Sequence, residues 1–280
     1  MTRPDMTVSA RPGATPSHRC GSAGHAMWRR TLSRLALTLS AVFLALPATA
    51  LAGGRVASAT GFRDVQGRPT YVDVVAAVPA GQSARQATDA ALRQQGAVRS
   101  ARPHQGSGSY AFDGLVWDVL PVDQYYNPSG QPLPAQAALQ ASENTWSSIP
   151  GSRYRIENPG TTTRCPSLTQ GCKGRQSYDG FNDVGWARLG GTTLAVTWYG
   201  TSTDEADMAV NSRFRWDVVC SPTPDPSNTY SVRSVMLHEN GHVAGLDHVN
   251  DPDQIMYPSY RGPRCTLGSG DQAGIRALYP

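Results

Sequence analysis

Residues 238–248 read His-Glu-Asn-Gly-His-Val-Ala-Gly-Leu-Asp-His, and this stretch decides the fold of the C-terminal part of the chain. His238 and His242 are four residues apart, so a helix presents both imidazoles on one face. Two imidazoles held in this way suit a tetrahedral Zn²⁺ site, as its first two ligands. The spacing therefore predicts a metal-binding helix.

The remainder of the stretch predicts a site that can carry out chemistry. Glu239 lies beside the expected metal rather than on it, where its carboxylate can take a proton from an activated water. Gly245 lets the chain leave the helix through a positive-φ turn, after which His248 can return as the third ligand. Three protein ligands leave a fourth position for water, which is typical of a catalytic zinc site. The alternative, a surface helix with unrelated histidines, is disfavoured because three of the chain's six histidines fall here.

Residues 1–52 are predicted to be a leader, with a signal peptide over residues 27–52 and Met27 as an alternative start. Basic residues precede an apolar run that is too short to span a bilayer, and a small-x-small sequence ends at Ala52 as a cleavage site. An uncleaved signal anchor is the alternative. We expect a secreted, extracellular protein without stable membrane insertion.

Charge and cysteine content fit that location. The formal net charge is +4, but the leader alone carries about +5, so the remainder gives no support to nucleic-acid binding. Four cysteines lie beyond the leader and allow three pairings. We favour a local Cys165–Cys172 bridge and a long Cys220–Cys265 bridge that brackets the metal-binding helix, formed in an oxidising compartment.

Residues 53–109 are predicted to be an N-terminal β-α extension followed by a linker. The extension is either a removable pro-segment or a permanent part of the domain. Its expected parts are a mobile polar N-terminus (53–64), a strand (71–78), a helix (83–95) and the linker (99–109).

Residues 110–280 are predicted to form the main domain. Strands come first and helices bracket them, which is typical of an α+β domain. Expected strands are 115–120, 153–156, 184–187, 192–199 and 206–211, and expected helices are 135–149, 231–244 and 269–278.

Met256 follows His248 by eight residues, within Ile255-Met256-Tyr257-Pro258. An extended zinc motif followed by such a Met-turn resembles the metzincin zinc metalloproteases, and the likeness to their matrixin branch covers residues 110–280. The resemblance implies a zincin-like α+β catalytic domain. Its parts would be a twisted mixed sheet with an antiparallel edge strand, an active-site helix and a C-terminal helix.

The resemblance also implies substrate-binding residues. Leu194 and Ala195 would lie on the edge strand, whose unpaired backbone groups can bind an extended peptide. Pro258 and Tyr260 would line the main specificity pocket, and Met256 would form an apolar floor under the zinc.

The sequence departs from the matrixin pattern at several positions. Val196 stands where that family has a histidine ligand of a second zinc, so we expect one catalytic zinc only. Asp179, Asn182 and Asp183 are candidate calcium ligands, but capping of a turn is the simpler interpretation. Residues 53–109 contain no cysteine, so the cysteine latch of matrixin pro-segments is not expected.

Taken together, these features predict a secreted zinc endopeptidase that acts on protein or peptide substrates as a monomer. Its three ligands would be His238, His242 and His248, and Glu239 would be the general base. Two alternatives stay open, namely a zinc hydrolase of another amide and a zinc-stabilised binding module without turnover.

Overall fold

A computed structural model describes residues 55–100, 105–169, 176–200, 205–220, 229–260 and 262–280. Its helices are α1 (Ala84–Gln94), α2 (Gln136–Ser147), α3 (Val232–Val243) and α4 (Ser269–Leu278). Its strands are β1 (Val56–Val65), β2 (Arg68–Ala77), β3 (Val98–Arg99), β4 (Gln105–Ser107), β5 (Tyr110–Phe112), β6 (Val122–Asn127), β7 (Ile156–Glu157), β8 (Asn182–Ala187), β9 (Thr193–Gly200), β10 (Ala206–Asn211), β11 (Arg215–Asp217), β12 (Thr229–Ser231) and β13 (Leu246–Asp247). The predicted leader lies outside the described residues.

Eight strands form one mixed sheet in the order β3-β1-β2-β9-β10-β8-β6-β7. Strands β10, β8, β6 and β7 run parallel to one another, whereas β9 runs antiparallel to β10. The fold is therefore α+β with a mixed sheet. Among the sheet strands that residues 110–280 contribute, the antiparallel strand β9 is the outermost on one side. In the whole chain β2 pairs with the open side of β9, so β9 is an interior strand.

The four predicted helices form close to their expected bounds because each has local signals. Ser83 caps α1 through a reciprocal bond with Gln86, and Ser231 accepts the backbone N–H of Ser234 at the start of α3. Helix α2 packs against α3, and Trp146 Nε1 donates to the Leu237 carbonyl at 2.9 Å. This packing fixes α3 against the rest of the core.

Three predictions about strands are wrong, and in one of them, residues 153–156, only Ile156 lies in a strand (β7). Residues 53–64 were expected to be mobile, but Val56–Val65 form β1, which pairs with β2 along its whole length. Residues 115–120 were expected to form a strand and instead have irregular backbone. Their alternating burial resembles that of a strand, but the Trp117 N–H donates to the Tyr279 hydroxyl rather than to a neighbouring strand.

A disulfide joins Cys220 to Cys265, the long-range pair favoured by the sequence, with a Cα–Cα distance of 5.9 Å. It ties the segment after β11 to the segment before α4. Cys165 is also disulfide-bonded, and its predicted partner Cys172 lies outside the described residues. Among the helices that the structure describes, none combines the length and the apolar character needed to cross a bilayer.

Candidate metal centre

Helix α3 and the turn after it bring the three predicted histidine ligands together. The ring centroids of His238 and His242 lie 5.1 Å apart, and those of His242 and His248 lie 4.7 Å apart. Gly245 has φ +96°, and a Cβ there would collide with the Leu115 carbonyl oxygen. The glycine therefore allows the sharp turn that returns His248 to the helix.

Backbone carbonyls orient two of the imidazoles. His238 Nδ1 lies 2.8 Å from the Ile255 carbonyl oxygen, and His242 Nδ1 lies 2.8 Å from that of Leu246. A carbonyl can only accept, so each Nδ1 carries a proton, and each Nε2 can offer a lone pair to a metal ion when it is unprotonated. This is the tautomer that a metal-binding imidazole needs. The hydrogen bond from Nδ1 to the carbonyl also fixes the orientation of each ring.

Asp73 of β2 is the fourth member of the cluster, and sequence analysis did not identify it. One ligand atom from each of Asp73, His238, His242 and His248 lies within 4.8 Å of every other. Asp73 Oδ2 is 3.4 Å from both His242 Nε2 and His248 Nε2. A carboxylate therefore lies where the sequence left the fourth ligand position to water, and it could complete a site for a metal ion.

The donor set and its spacing fit a zinc ion. Metal–nitrogen distances of 2.0–2.1 Å in a tetrahedron place neighbouring ligand atoms about 3.3–3.4 Å apart. The 3.4 Å separations around Asp73 and the 3.2 Å between His238 Nε2 and His248 Nε2 match this value. Asp73 Oδ1 and His242 Nε2 are buried without a hydrogen-bond partner, which is costly unless a cation satisfies such atoms.

The electrostatics of the cluster favour an ionised Asp73. Burial opposes ionisation, but the neighbouring imidazoles, His242 first among them, lower the pKa of Asp73 below its usual range. In contrast, burial and then the charge of Asp73 raise the pKa of Glu239 to about 8. The two carboxylates therefore differ strongly in proton affinity within one site.

Glu239 lies beside the cluster, as the motif predicts, and is fully buried. The Thr197 hydroxyl on β9 donates a short hydrogen bond to Glu239 Oε2, while Oε1 has no partner. Thr197 is also the cross-strand neighbour of Asp73. Sequence analysis did not identify Thr197, because its role depends on which strand faces α3.

Met256, the predicted floor residue, is buried, with 1% of its surface exposed. A Cβ on Gly241 of α3 would collide with the Met256 sulfur. Asp271 of α4 accepts the backbone N–H groups of Ile255 at 2.7 Å and of Met256 at 3.3 Å. The C-terminal helix thus holds the segment that contains Met256.

The four predicted substrate-binding residues lie on two sides of the N-terminal hairpin formed by β1 and β2. Leu194 and Ala195 are buried in β9, and Ala195 pairs with Val75 of β2. On the other side, the Pro258 carbonyl and the Tyr260 N–H bond to the backbone of β1.

The candidate calcium ligands are engaged within the protein. Asp183 binds the Arg164 guanidinium through two contacts of 2.9 and 2.8 Å. Asp179 Oδ1 accepts the N–H of Phe181, as expected for a residue that caps a turn. Asn182 Oδ1 accepts the N–H of Ala206.

The part of the chain that contains the three histidines is similar to known proteins. A family model described as Matrixin matches residues 170–280. Matrix metalloproteinase-20 of Homo sapiens is 29% identical over 158 residues, which are 55% of this chain and 29% of that protein. Metalloendoproteinase 1 of Glycine max is 42% identical over 65 residues, which are 22% of this chain and 20% of that protein.

A solved archaemetzincin from Methanopyrus kandleri is 14% identical, with a TM-score of 0.31 over 57% of this chain and 98% of that one. The chain spans less than a third of the length of the curated relatives it matches, between 8% and 31%. The residues matched by the family model include α3, the glycine turn and the segment around Met256. The family model and the curated relatives therefore support a matrixin-like metzincin catalytic domain in this part of the chain.

Proposed function

We propose that the protein is a zinc-dependent endopeptidase that acts on protein or peptide substrates. The observation that carries this proposal is the convergence of three imidazole Nε2 atoms beside the buried carboxylate of Glu239. The match of residues 170–280 to the Matrixin model and the likeness to matrix metalloproteinase-20 support it. A binding module would have no use for a carboxylate held beside the metal without ligating it.

His238, His242 and His248 would hold the zinc ion, which supplies a Lewis acid that activates water and polarises the peptide carbonyl. Glu239 then takes the proton of the attacking water and delivers it to the leaving amine. The Thr197 hydroxyl fixes one carboxylate oxygen of Glu239, so that Oε1 is left to accept the proton. Strand β9 could hold an extended substrate by strand pairing only on the side that β2 occupies in this structure.

We also propose that the protein is exported through its predicted signal peptide and cleaved near Ala52. The disulfide between Cys220 and Cys265 supports an oxidising destination. Sequencing the N-terminus of protein recovered from the culture medium tests this, and a start at Gly53 is expected.

Glu239→Gln tests the proposed chemistry because it removes the base without changing the size of the side chain. Hydrolysis of casein should fall by about 10²–10⁴-fold, as is typical when a general base is lost, while zinc content stays at one ion per chain. Glu157→Gln, which changes an exposed carboxylate, is the matched control and should keep wild-type activity.

All three proteins are compared at the same N-terminus, as determined by sequencing. Activity of the zinc-loaded Glu239→Gln variant equal to that of the wild type would show that the assignment of Glu239 is wrong. A chelator should abolish hydrolysis by the wild type.

A further inference from the structure

We propose that Arg264 makes the pocket beside His238 selective for an acidic side chain, so that the protein cuts its substrates next to a Glu or Asp residue. This inference rests on the proposed peptidase function and names the class of substrate. The pocket, which we call the side pocket, is lined by α3, by the segment from Pro252 onward and by the N-terminal hairpin.

The side pocket lies next to the metal cluster, because His238 is one of its lining residues. Ser234 and Val235 also line it, and they precede His238 by one helical turn on the same face of α3. Ile255, whose carbonyl accepts the bond from His238 Nδ1, lines it from the Met256 segment. A substrate residue close to the bond that is cut can therefore place its side chain in this pocket.

Arg264 sets the charge of the side pocket. Among its lining residues in the described part of the chain, Arg264 is the one that carries a permanent charge, and no carboxylate is among them. The hairpin contributes the uncharged side chains of Val56, Ser58 and Val75. The positive charge of the pocket therefore does not depend on the hairpin, and it favours an anionic group in a largely uncharged surrounding.

The backbone holds Arg264 in a fixed position against α3. Its N–H donates to the Ser234 hydroxyl at 3.0 Å, and the next residue, Cys265, forms the disulfide with Cys220. Two residues earlier, Gly262 has φ +108°, which only a glycine adopts readily. A charged group on such a fixed segment loses little freedom when it binds a ligand.

The guanidinium of Arg264 has donors to spare. Within the described residues, its one hydrogen bond is a long contact of 3.4 Å from Nη1 to the Gln254 carbonyl. Two carboxylates lie near enough to interact with its charge, Asp251 and Asp271. Asp271 accepts backbone N–H groups on both oxygens, and Asp251 accepts the Gln254 amide. A guanidinium carries five N–H donors and can bind an incoming carboxylate through two of them.

These properties predict how strongly the pocket should distinguish side chains. Hydrogen bonds between charged groups are about twice as strong as those between neutral groups, so Glu should be preferred over the isosteric Gln by roughly tenfold or more. An apolar side chain such as that of Leu would cover the guanidinium without pairing it, which is costly. The preference therefore depends on charge rather than on size.

The first test maps cleavage sites by mass spectrometry in a mixture of peptides from unstructured proteins, with zinc-loaded protein. Glu or Asp should be enriched at one fixed position next to the cut bond. In two peptides that differ only by Glu or Gln at that position, kcat/KM should be roughly tenfold or more higher for the Glu peptide. Equal values, or enrichment of apolar residues at that position, would overturn the proposal.

Variants of Arg264 test whether this residue causes the preference. Arg264→Gln should abolish the difference between the two peptides, whereas Arg264→Lys should keep part of it because the charge remains. Arg213→Gln changes an exposed arginine outside the pocket and should keep the wild-type ratio. The ratio does not depend on the fraction of folded protein, since both peptides are measured on one sample. An Arg264→Gln variant with the wild-type ratio would overturn the role of Arg264.

A binding measurement tests the pocket without turnover. Glutaric monohydroxamate and its carboxamide are metal-binding probes of equal size, whose tails end in a carboxylate or in a neutral amide. Titration calorimetry of the zinc-loaded wild type should give a Kd that is roughly tenfold or more lower for the carboxylate probe. The difference should disappear in Arg264→Gln and persist in Arg213→Gln. Equal affinities in the wild type, or no saturable binding of the carboxylate probe, would overturn the proposal.

The two proposals fail in different ways. If the carboxylate probe is preferred but no peptide is cut, the peptidase function is wrong and the assignment of Arg264 holds. If peptides are cut without preference for an acidic residue and both probes bind equally, the peptidase function holds and the assignment of Arg264 is wrong.

Discussion

Gly241 lies in α3 between the two helical histidines, and the space left by its missing side chain is filled by Met256. We expect Gly241→Ala to destabilise the protein by about 1–3 kcal/mol, because the added methyl group overpacks a buried contact. Met256→Ala alone should cost about 2–5 kcal/mol through the cavity that it leaves. Urea denaturation gives both values.

The double variant tests whether the two effects share one contact. In the Met256→Ala background, Gly241→Ala should cost clearly less than it does alone, because the colliding sulfur is gone. Strictly additive costs would show that Met256 does not lie against Gly241.

At the scale of single residues, the sequence predicts what depends on helical geometry and misses what depends on the order of strands. His238, His242 and Glu239 follow from spacing within one helix. Asp73 could not be placed, because it reaches the site only when β2 pairs with β9, and these strands are more than a hundred residues apart. A carboxylate inside an apolar strand was the one signal that could have marked it.

Helix α2 contains a buried acid whose proton affinity makes stability depend on pH. Glu143 of α2 is 1% exposed, and burial followed by the charge of Glu157 raises the pKa of Glu143 to about 8. The folded state therefore holds this proton more tightly than the unfolded chain does. Its contribution to stability is complete below about pH 4.5 and is lost as the pH rises through about 8.

We expect Glu143→Gln to remove this dependence, which is at most about 1.4 kcal/mol per pH unit. The free energy of unfolding of the variant minus that of the wild type should be larger at pH 8 than at pH 5, as measured by urea denaturation at both values. Asp123→Asn changes an exposed acid and serves as the control. If the difference in free energy of unfolding between Glu143→Gln and the wild type is equal at both pH values, the assignment of a buried, protonated Glu143 is wrong.

At the scale of elements, the helices were predicted well because caps and periodicity are local signals. The strands β8, β9 and β10 were also close to their predicted ranges, since each contains a short apolar run. Strand β1 was missed because its residues are small and mixed in polarity, and it becomes a strand through pairing with β2 and with the Met-turn segment. Residues 115–120 show the reverse case, in which a side-chain hydroxyl replaces a strand partner.

The whole molecule should owe part of its stability to the metal, because the four ligands come from β2, α3 and the turn after it. A ligand that binds only the folded state adds about 4 kcal/mol when its free concentration is 1,000 times its Kd. At about 2–4 °C per kcal/mol for a protein of this size, chelation by EDTA should lower Tm by roughly 10 °C.

His242→Ala provides the control for this measurement. The variant lacks a central ligand, so its Tm should already be low and should not respond to EDTA. A wild-type Tm that is insensitive to EDTA, in a sample shown to have held zinc beforehand, would contradict a metal site built from distant parts of the fold.

The most direct test of the account is anomalous diffraction from crystals of the full chain at the zinc absorption edge. One peak is expected per chain, about 2.0–2.1 Å from the Nε2 atoms of His238, His242 and His248, with the Asp73 carboxylate completing the site. A map without a peak among these three imidazoles, or with His248 turned away from the other two, would contradict it.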